Sequence, residues 1–254
     1  MSEQVKISII TVCYNSESTI ARCMSSVSNQ RYENYEHIII DGNSQDATLH
    51  LVNKYKTSNS IVLSEEDDGI YDAMNKAIAM CSGDLIGILN SDDFYAKSTV
   101  LNDVSEIYKL TNEDIIAGAV CFVDERNRCQ RVVKPNSFRP WMLFFGWMLP
   151  HTSTFISSEI YRKFGCYDMH LSTAADYELF VRLLLKNELS YYACNDHWVS
   201  MQMGGVTTSG MSSYLRTTRQ MKNAIRKNGY FSSNLLLLLR LPIKYLTETL
   251  WQKK

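Results

Sequence analysis

Short apolar runs and amphipathic helical patterns alternate along the first hundred residues. Residues 5–12, 37–40 and 85–89 are nearly continuous apolar runs, which are typical of strands buried on both faces. After the first run, apolar residues recur at the spacing of one helix face. These residues are Ile20, Cys23, Met24 and Val27. Ser16 or Ser18 can cap this helix.

The alternation continues with two further helices and a short strand. The pattern predicts a helix from Asp46, a strand at residues 61–63 and a third helix after Asp68 and Gly69. We expect the third helix to bury one stripe: Ile70, Met74, Ala77, Ile78 and Cys81. Strands alternating with helices predict an α/β fold with a mostly parallel sheet and helices on both faces.

The second half of the chain is less regular. Residues 115–123 predict another strand, and residues 174–186 predict a helix. Its expected inward-facing residues are Leu179, Leu183 and Leu184. The aromatic-rich residues 138–149 are interpreted as core, or as a surface that receives the lipid part of an acceptor. Residues 230–251 are apolar, but Arg240, Pro242 and Lys244 interrupt them too often for a membrane span.

Composition and charge narrow the class of protein. The 254 residues are 45% hydrophobic and 21% charged, which favours one large globular domain over disorder. A net charge of −1 argues against a nucleic-acid binder. The charge is uneven, however, because residues 216–254 carry +8 and residues 1–215 carry −9. The basic tail therefore either meets an anionic membrane surface or is a solvated basic helix.

Cysteine usage and the N-terminus predict a cytoplasmic protein. The seven cysteines are odd in number and include no C-x-x-C pair, which indicates reduced thiols. The first residues enter a strand pattern without the basic and long apolar regions of a secretory signal. We therefore expect a cytoplasmic location. If the basic tail meets an anionic membrane, the contact is peripheral and on the inner face of the cell membrane.

Polar clusters follow three of the predicted strands. They are Tyr14 with Asn15, Asp41 with Gly42, and Ser91 with Asp92 and Asp93. Ligands of such sheets bind beyond the carboxyl ends of the strands, so the clusters should converge on one crevice. Two adjacent carboxylates repel each other unless a cation or hydrogen-bond donors balance them. Asp92 and Asp93 therefore suit a divalent ion that also neutralises a departing diphosphate, although a turn or helix cap is the better explanation when the pair is considered alone.

An ordered set of segments resembles the family 2 glycosyltransferases, whose nucleotide-binding domain has the Rossmann-like fold called GT-A. The matching residues, all read from the chain, are 8–15 (SIITVCYN), 39–48 (IIDGNSQDAT), 64–78 (SEEDDGIYDAMNKAI), 89–93 (LNSDD), 150–155 (PHTSTF), 175–179 (ADYEL) and 203–208 (MGGVTT). Residues 64–78 look like the branch that builds colanic acid, capsule and O-antigen repeats in bacteria.

The resemblance implies a role for each matching position. Asp41 contacts the nucleotide base, Asp92 the ribose or diphosphate, and Asp93 a Mn²⁺ or Mg²⁺ ion, with Asp176 as the catalytic base of an inverting transfer. Asn90 stands where family members often have an acid, so Asp93 is expected to be the main metal ligand. Further implied donor contacts are Thr11, Tyr14, Asn15, Asp68, Lys76, Asn90 and Ser91. Implied contacts to the acceptor or diphosphate are His151, Glu178, Gly204 and Gly205.

The resemblance also implies an organisation and a function. Residues 1–215 form the transferase domain, with a nucleotide-binding half at about 1–100 and an acceptor half at about 101–215, and residues 216–254 form a basic amphipathic helical extension. The expected reaction moves a sugar from a nucleotide-sugar donor to a hydroxyl of a glycan linked to undecaprenyl diphosphate. A noncatalytic nucleotide-sugar-binding subunit is the alternative. A dinucleotide oxidoreductase is disfavoured, because no G-x-G-x-x-G turn follows the first strand.

Overall fold

The computed structural model of the chain describes residues 4–202 and 210–238. Within these ranges there are nine strands and eight α-helices. The strands are β1 Ile7–Cys13, β2 Tyr35–Asp41, β3 Ser60–Ser64, β4 Leu85–Ile88, β5 Asp93–Tyr95, β6 Ile115–Val123, β7 Cys129–Val133, β8 Thr154–Ser157 and β9 Tyr192–Gln202. The helices are α1 Ile20–Ser28, α2 Thr48–Tyr55, α3 Ile70–Met80, α4 Val100–Thr111, α5 Ser158–Phe164, α6 Ala175–Phe180, α7 Gly210–Lys227 and α8 Asn234–Leu238.

One sheet joins all nine strands in the order β3-β2-β1-β4-β8-β6-β9-β5, with β7 paired to β6. The first four strands in this order, β3, β2, β1 and β4, are parallel to one another, as the alternating pattern predicts. All seven residues of β1 are buried, because the strand lies between β2 and β4 and is covered on both faces. β8 runs antiparallel to both β4 and β6, and it joins the parallel half to the remainder of the sheet.

The predicted buried face is complete in α1, whereas two positions of the predicted α3 stripe, Ile70 and Cys81, differ. Ile20, Cys23, Met24 and Val27 of α1 are all buried, which confirms the prediction for this helix. In α3 the expected position of Ile70 in the buried stripe is wrong, because Ile70 is the first helical residue and is 46% exposed. Tyr71 and Ala73 are buried in its place, and Cys81 follows the helix as its C-cap.

The chain divides into two compact units. The first contains the whole sheet and comprises residues up to Asn136, Pro150–Tyr167 and Ser190–Met203. The second comprises Ser137–Leu149, Asp168–Leu189 and the described residues 210–238. In this second unit α6 continues as a π-helical segment, Val181–Lys186. Leu179, Leu183 and Leu184 are buried there, which confirms their predicted inward orientation.

A disulfide between Cys121 and Cys129 links β6 to β7, so the expectation that all seven cysteines are reduced is wrong for this pair. The spacing of eight residues gave no C-x-x-C signal, and only the antiparallel pairing of β6 with β7 brings the two residues together. The other five cysteines remain thiols. No helix among the described residues is long and apolar enough to cross a membrane.

A buried carboxylate lies near the start of the central strands. Glu36 of β2 accepts hydrogen bonds from the Ser8 hydroxyl at 2.6 Å and from the Ser82 amide at 2.6 Å and hydroxyl at 2.7 Å. The Lys6 ammonium lies 3.0 Å from the same carboxylate. Burial alone would raise the pKa of Glu36, but these contacts outweigh it and lower the pKa to about 2.

The ionised form of Glu36 is therefore expected to stabilise the fold at neutral pH. Since the folded pKa lies below the unfolded value of 4.5, this stabilisation is present above pH 4.5 and is lost as the pH falls towards 2. Glu36→Gln should lower the free energy of unfolding by about 3 kcal/mol at pH 7, and the deficit should shrink between about pH 5 and about pH 2. Urea denaturation across this pH range measures it. Glu33→Gln, at an exposed acid, is the control; a pH-independent deficit would contradict the assignment.

Candidate functional site

The turns that follow β1, β2 and β4 meet at one edge of the sheet. The Asn15 amide donates to Ser44 Oγ at 2.9 Å, and Asn15 Oδ1 accepts from the Gln45 amide at 2.9 Å. Ser16 Oγ lies 2.9 Å from Ser91 Oγ. Since β2, β1 and β4 are parallel neighbours, their carboxyl ends bring these turns together, and the predicted convergence of the polar clusters is confirmed.

Asn15 has a φ of 47°, a left-handed conformation that asparagine tolerates better than most residues. This conformation turns the chain away from β1 after Tyr14, and the Tyr14 side chain is 61% exposed. An exposed aromatic ring at the end of a central strand is available to stack on a planar ligand.

Asp41 closes β2, and its carboxylate is fully buried. Its oxygens accept hydrogen bonds from the Ser44 hydroxyl at 2.5 Å, the Ser44 amide at 3.2 Å and the Ser64 hydroxyl at 2.7 Å. The carboxylate thus shapes the turn that carries Gly42. A Cβ atom at Gly42 would come within 2.5 Å of Asp67 Oδ2 and 3.5 Å of Tyr14 Cδ2, so a side chain there would displace the Asp67 carboxylate.

The turn between β4 and β5 holds the acidic pair. Asn90, Ser91 and Asp92 are half-buried, whereas Asp93 begins β5 and is 1% exposed. Burial first, and the neighbouring Asp92 carboxylate second, raise the pKa of Asp93 well above its usual value. The positive charge of Arg22 and the nearby Thr152 hydroxyl oppose the shift. Within the described part of the chain, Asp93 Oδ2 and Asn90 Oδ1 are buried without a hydrogen-bond partner.

Unpartnered buried oxygens carry a desolvation cost that a bound cation would remove. No group of three or more His, Cys, Asp or Glu side chains that could hold a metal occurs among the described residues. This donor set suits Mg²⁺ or Mn²⁺ bound together with a phosphate ligand, because Mg²⁺ usually takes one or two carboxylates and fills its other positions with water and substrate phosphates. The residues present therefore fit a divalent cation at Asp93, with Asp92 beside it.

The loop after β3 is fixed by Lys76. Its ammonium contacts Glu65 at 2.9 Å, Asp72 at 3.1 Å and the Glu66 carbonyl at 2.9 Å. The resemblance implies a donor contact for Lys76, and the structure pairs its ammonium with these two carboxylates and this carbonyl. Asp68 is exposed at the tip of this loop, and its amide donates to Asp72 Oδ2 at 3.1 Å.

Thr11 and His151 are both held by other side chains of the first unit. Thr11 is fully buried, and its hydroxyl lies 2.9 Å from Nε2 of His37, so it has no surface for the donor contact that the resemblance implies. His151 is half-buried, and its Nε2 lies 2.7 Å from the Tyr167 hydroxyl. Asn75 of α3 holds Tyr167 in turn, through 2.9 Å hydrogen bonds to its amide and carbonyl.

The second unit carries the remaining predicted residues. Asp176 lies in the first turn of α6, is half-buried, and accepts from the Tyr177 amide at 2.8 Å. Glu178 is 2% exposed, pairs with Arg182 at 3.0 Å and accepts from Asn228 at 3.0 Å. This buried network satisfies the Glu178 carboxylate, which argues for a structural rather than an acceptor-binding role. Gly204 and Gly205 lie outside the described residues.

Several residues at this edge were not predicted from the sequence. Ser16, Ser44 and Asp67 form or line the turns, and Arg22 contacts the acidic turn from α1. Serine and asparagine in turns are too common to single out, and Arg22 looks like any polar residue on a surface helix.

Comparisons with known proteins agree with the fold described above. Residues 8–169 match the sequence model of the family described as Glycosyl transferase family 2. An uncharacterized glycosyltransferase of Mycobacterium tuberculosis is 32% identical over 188 residues, which are 73% of this chain and 71% of that protein. A PGL/p-HBAD biosynthesis glycosyltransferase of Mycobacterium bovis is 24% identical over 186 residues, 69% of this chain and 68% of that protein.

Solved structures share the fold at low sequence identity. TarS 1-349 of S. aureus, in complex with UDP-GlcNAc, has a TM-score of 0.70 and 17% identity, with 91% of this chain and 70% of that chain covered. The mannosyltransferase PcManGT of Pyrobaculum calidifontis, in complex with GDP-Man and Mn²⁺, has a TM-score of 0.65 and 15% identity, with 94% and 71% covered. These matches confirm the expected GT-A-type, Rossmann-like fold.

Proposed function

The chain belongs to glycosyl transferase family 2, and from this premise we propose that it moves a sugar from a nucleotide-sugar donor to a hydroxyl group of a glycan acceptor. The observation that supports the proposal most is the meeting of three polar turns at the ends of β1, β2 and β4, with unpartnered buried oxygens on Asp93 and Asn90. A nucleoside diphosphate and its cation would supply the missing partners.

The donor's base and ribose are assigned to the turns after β1 and β2. The exposed Tyr14 ring is available for stacking, a contact that does not depend on the identity of the base. The Asp67 carboxylate and the Gly42 backbone lie beside it. Asp41 acts indirectly on the part of the site that would hold the base, because its carboxylate fixes the hydroxyls of Ser44 and Ser64. Direct contact between the Asp41 carboxylate and the base requires one of these hydroxyls to move.

The donor's diphosphate is assigned to residues 90–93. Asp93 would hold a Mn²⁺ or Mg²⁺ ion with Asp92 as the second carboxylate, and the bound ion would neutralise charge on the leaving diphosphate. Asn90 contributes an amide oxygen where an acid would add charge, and Ser91 contributes a hydroxyl already fixed by Ser16. The bound GDP-Man and Mn²⁺ of the Pyrobaculum mannosyltransferase support this assignment by analogy of fold.

Asp176 is proposed as the general base. It would take the proton from the acceptor hydroxyl while that oxygen attacks the anomeric carbon and the bond to the diphosphate breaks, which inverts the configuration. Its support is its place at the start of α6, in the 175–179 segment of the ordered motif set. The family match ends at residue 169, so this assignment rests on the resemblance of that segment.

The acceptor is proposed to be a lipid-linked surface glycan, such as one on undecaprenyl diphosphate, at the inner face of a membrane. Residues 210–238 contain five Lys or Arg residues and no acid. In the second unit large apolar side chains are also exposed: Trp141 56%, Leu215 52%, Phe231 77% and Leu235 72%. Cationic and apolar side chains together suit an anionic bilayer surface.

Donor binding can be measured by thermal unfolding with a panel of UDP-, GDP- and TDP-sugars, each with Mn²⁺, Mg²⁺ or EDTA. One nucleotide class should stabilise the protein only with metal, by about 2.7 kcal/mol at a hundredfold excess over Kd, or roughly 5–10 °C. Asp93→Ala should abolish this shift and Asp92→Ala should reduce it less. A shift that is equal in EDTA would contradict the cation assignment.

The base assignment is tested with Asp176→Asn. The substitution removes the proton acceptor but keeps the side-chain shape, so kcat should fall by about 10² to 10⁴ while donor-induced stabilisation is unchanged. The matched control is Glu159→Gln, which alters an exposed acid in the first turn of α5. Unaltered transfer by Asp176→Asn would remove the assignment, and a wild-type protein that binds donor without any transfer would favour the noncatalytic alternative.

Membrane contact is tested by flotation with vesicles of phosphatidylglycerol and phosphatidylcholine, and with phosphatidylcholine alone. The wild-type protein should float with the anionic vesicles only, and the double variant Phe231→Ser/Leu235→Ser should lose most of this binding. Leu110→Ser is the control, because Leu110 is 85% exposed on α4 of the first unit. Equal binding to both vesicle types, or no binding, would contradict the contact.

A further inference from the structure

Arg22 lies on the inner side of the turn that carries the acidic pair, in the third position of α1. One of its terminal nitrogens, Nη2, donates to the Asp92 carbonyl at 3.2 Å and to Gln202 Oε1 at 2.9 Å. The other, Nη1, donates to Asn127 Oδ1 at 3.1 Å. The guanidinium carbon lies 4.3 Å from the centroid of the Phe94 ring. Arg22 therefore contacts the residues on both sides of Asp93.

These contacts restrain the backbone that orients the Asp93 side chain. Asp93 begins β5, a strand of three residues whose backbone pairs only with the end of β9 among the described strands. So short a strand orients a side chain poorly unless other groups fix the chain beside it. Arg22 fixes the Asp92 carbonyl before Asp93 and the Phe94 ring after it. From the same helix, the Ser26 hydroxyl accepts a hydrogen bond from the Tyr95 amide at 3.0 Å.

The partners that hold Arg22 are themselves fixed. Asn127 lies at the tip of the β6–β7 hairpin, which the Cys121–Cys129 disulfide closes. The Asp124 carboxylate accepts hydrogen bonds from the amides of Arg126 and Arg128 at 2.9 Å each, so hydrogen bonds within the hairpin fix its tip. Gln202 is the last residue of β9. The guanidinium therefore joins the hairpin tip, the β9 end and the acidic turn.

The contacts need an arginine rather than a general positive charge. Three acceptors lie around one planar group, and the plane also stacks on an aromatic ring, which a lysine ammonium cannot reproduce. Second-layer groups that orient metal ligands typically change metal affinity by about 10-fold to 100-fold when removed.

We propose that Arg22 is a positioning residue that holds residues 92–94 so that the Asp93 carboxylate is oriented towards the divalent cation. This rests on the proposed function, because it takes Asp93 as the metal ligand. Arg22 acts through the Asp92 carbonyl and the Phe94 ring, and it contacts neither the donor nor the cation.

The test measures Mn²⁺ affinity directly, without turnover, by the loss of the electron paramagnetic resonance signal of unbound Mn²⁺. The variants are Arg22→Lys and Arg22→Ala, with Arg31→Lys as the matched control because Arg31 is exposed just after α1. Thermal unfolding of each variant, measured without metal, is the check that the variant is folded at the assay temperature. We expect Arg22→Lys to bind Mn²⁺ about 10-fold more weakly than Arg31→Lys and wild type.

Chemical rescue separates positioning from general loss of stability. Arg22 lines a cavity of about 390 Å³ together with Ser25, Asn29, Gln30 and Lys97, which gives a small cation access to its place. Millimolar guanidinium should restore part of the Mn²⁺ affinity of Arg22→Ala, whereas equal concentrations of sodium should not.

Each outcome bears on one assignment. Mn²⁺ affinity equal to that of the control in Arg22→Lys would overturn the proposal, even if Arg22→Ala fails to fold. Weaker binding in Arg22→Lys with an unchanged unfolding temperature supports it. A wild-type protein that binds Mn²⁺ no better than Asp93→Ala would overturn the cation site itself, which is a failure of the proposed function and is distinct from a failure of Arg22 alone.

Discussion

The carboxylate of Asp93 is buried at the start of a three-residue strand, and one of its oxygens has no hydrogen-bond partner among the described residues. Such a group either takes up a proton or requires a cation, because an isolated charge is costly away from water. Asp92 adds a second carboxylate, and Arg22 supplies the opposing positive charge that the structure provides nearby. The chemistry we propose depends on a bound cation and diphosphate, which would balance the negative charge of these two carboxylates.

The sheet brings these polar and acidic residues together because the ends of three of its strands lie side by side. Parallel pairing of β2, β1 and β4 brings their following turns to one edge, and short hydrogen bonds between Asn15, Ser44, Ser16 and Ser91 join those turns. Asp41 accepts hydrogen bonds from Ser44, in the turn after β2, and from Ser64, at the end of β3, whereas Oδ2 of Asp93 has no hydrogen-bond partner within the described ranges. One acid therefore maintains the shape of the site, and the other remains available for a ligand.

The sequence pattern predicted the parallel half of the sheet because buried strands and amphipathic helices have distinct periods. It also placed the polar clusters correctly, since the carboxyl ends of parallel strands must meet. It did not distinguish the roles of individual acids: Asp41 and Glu178 are satisfied by buried partners, and this depends on Ser64 and Asn228, which are distant along the chain. Arg22 and the Cys121–Cys129 pair were missed for the same reason, because their partners come from tertiary pairing alone.

The central claim is that residues 90–93 bind a divalent cation together with a nucleoside diphosphate. Crystals soaked with Mn²⁺ and the stabilising nucleotide sugar, measured at the manganese absorption edge, locate the ion by its anomalous scattering. The account predicts one strong peak bonded to the Asp93 carboxylate and to oxygens of the diphosphate. A peak bonded to other side chains, or a bound diphosphate with no peak beside Asp93, would contradict it.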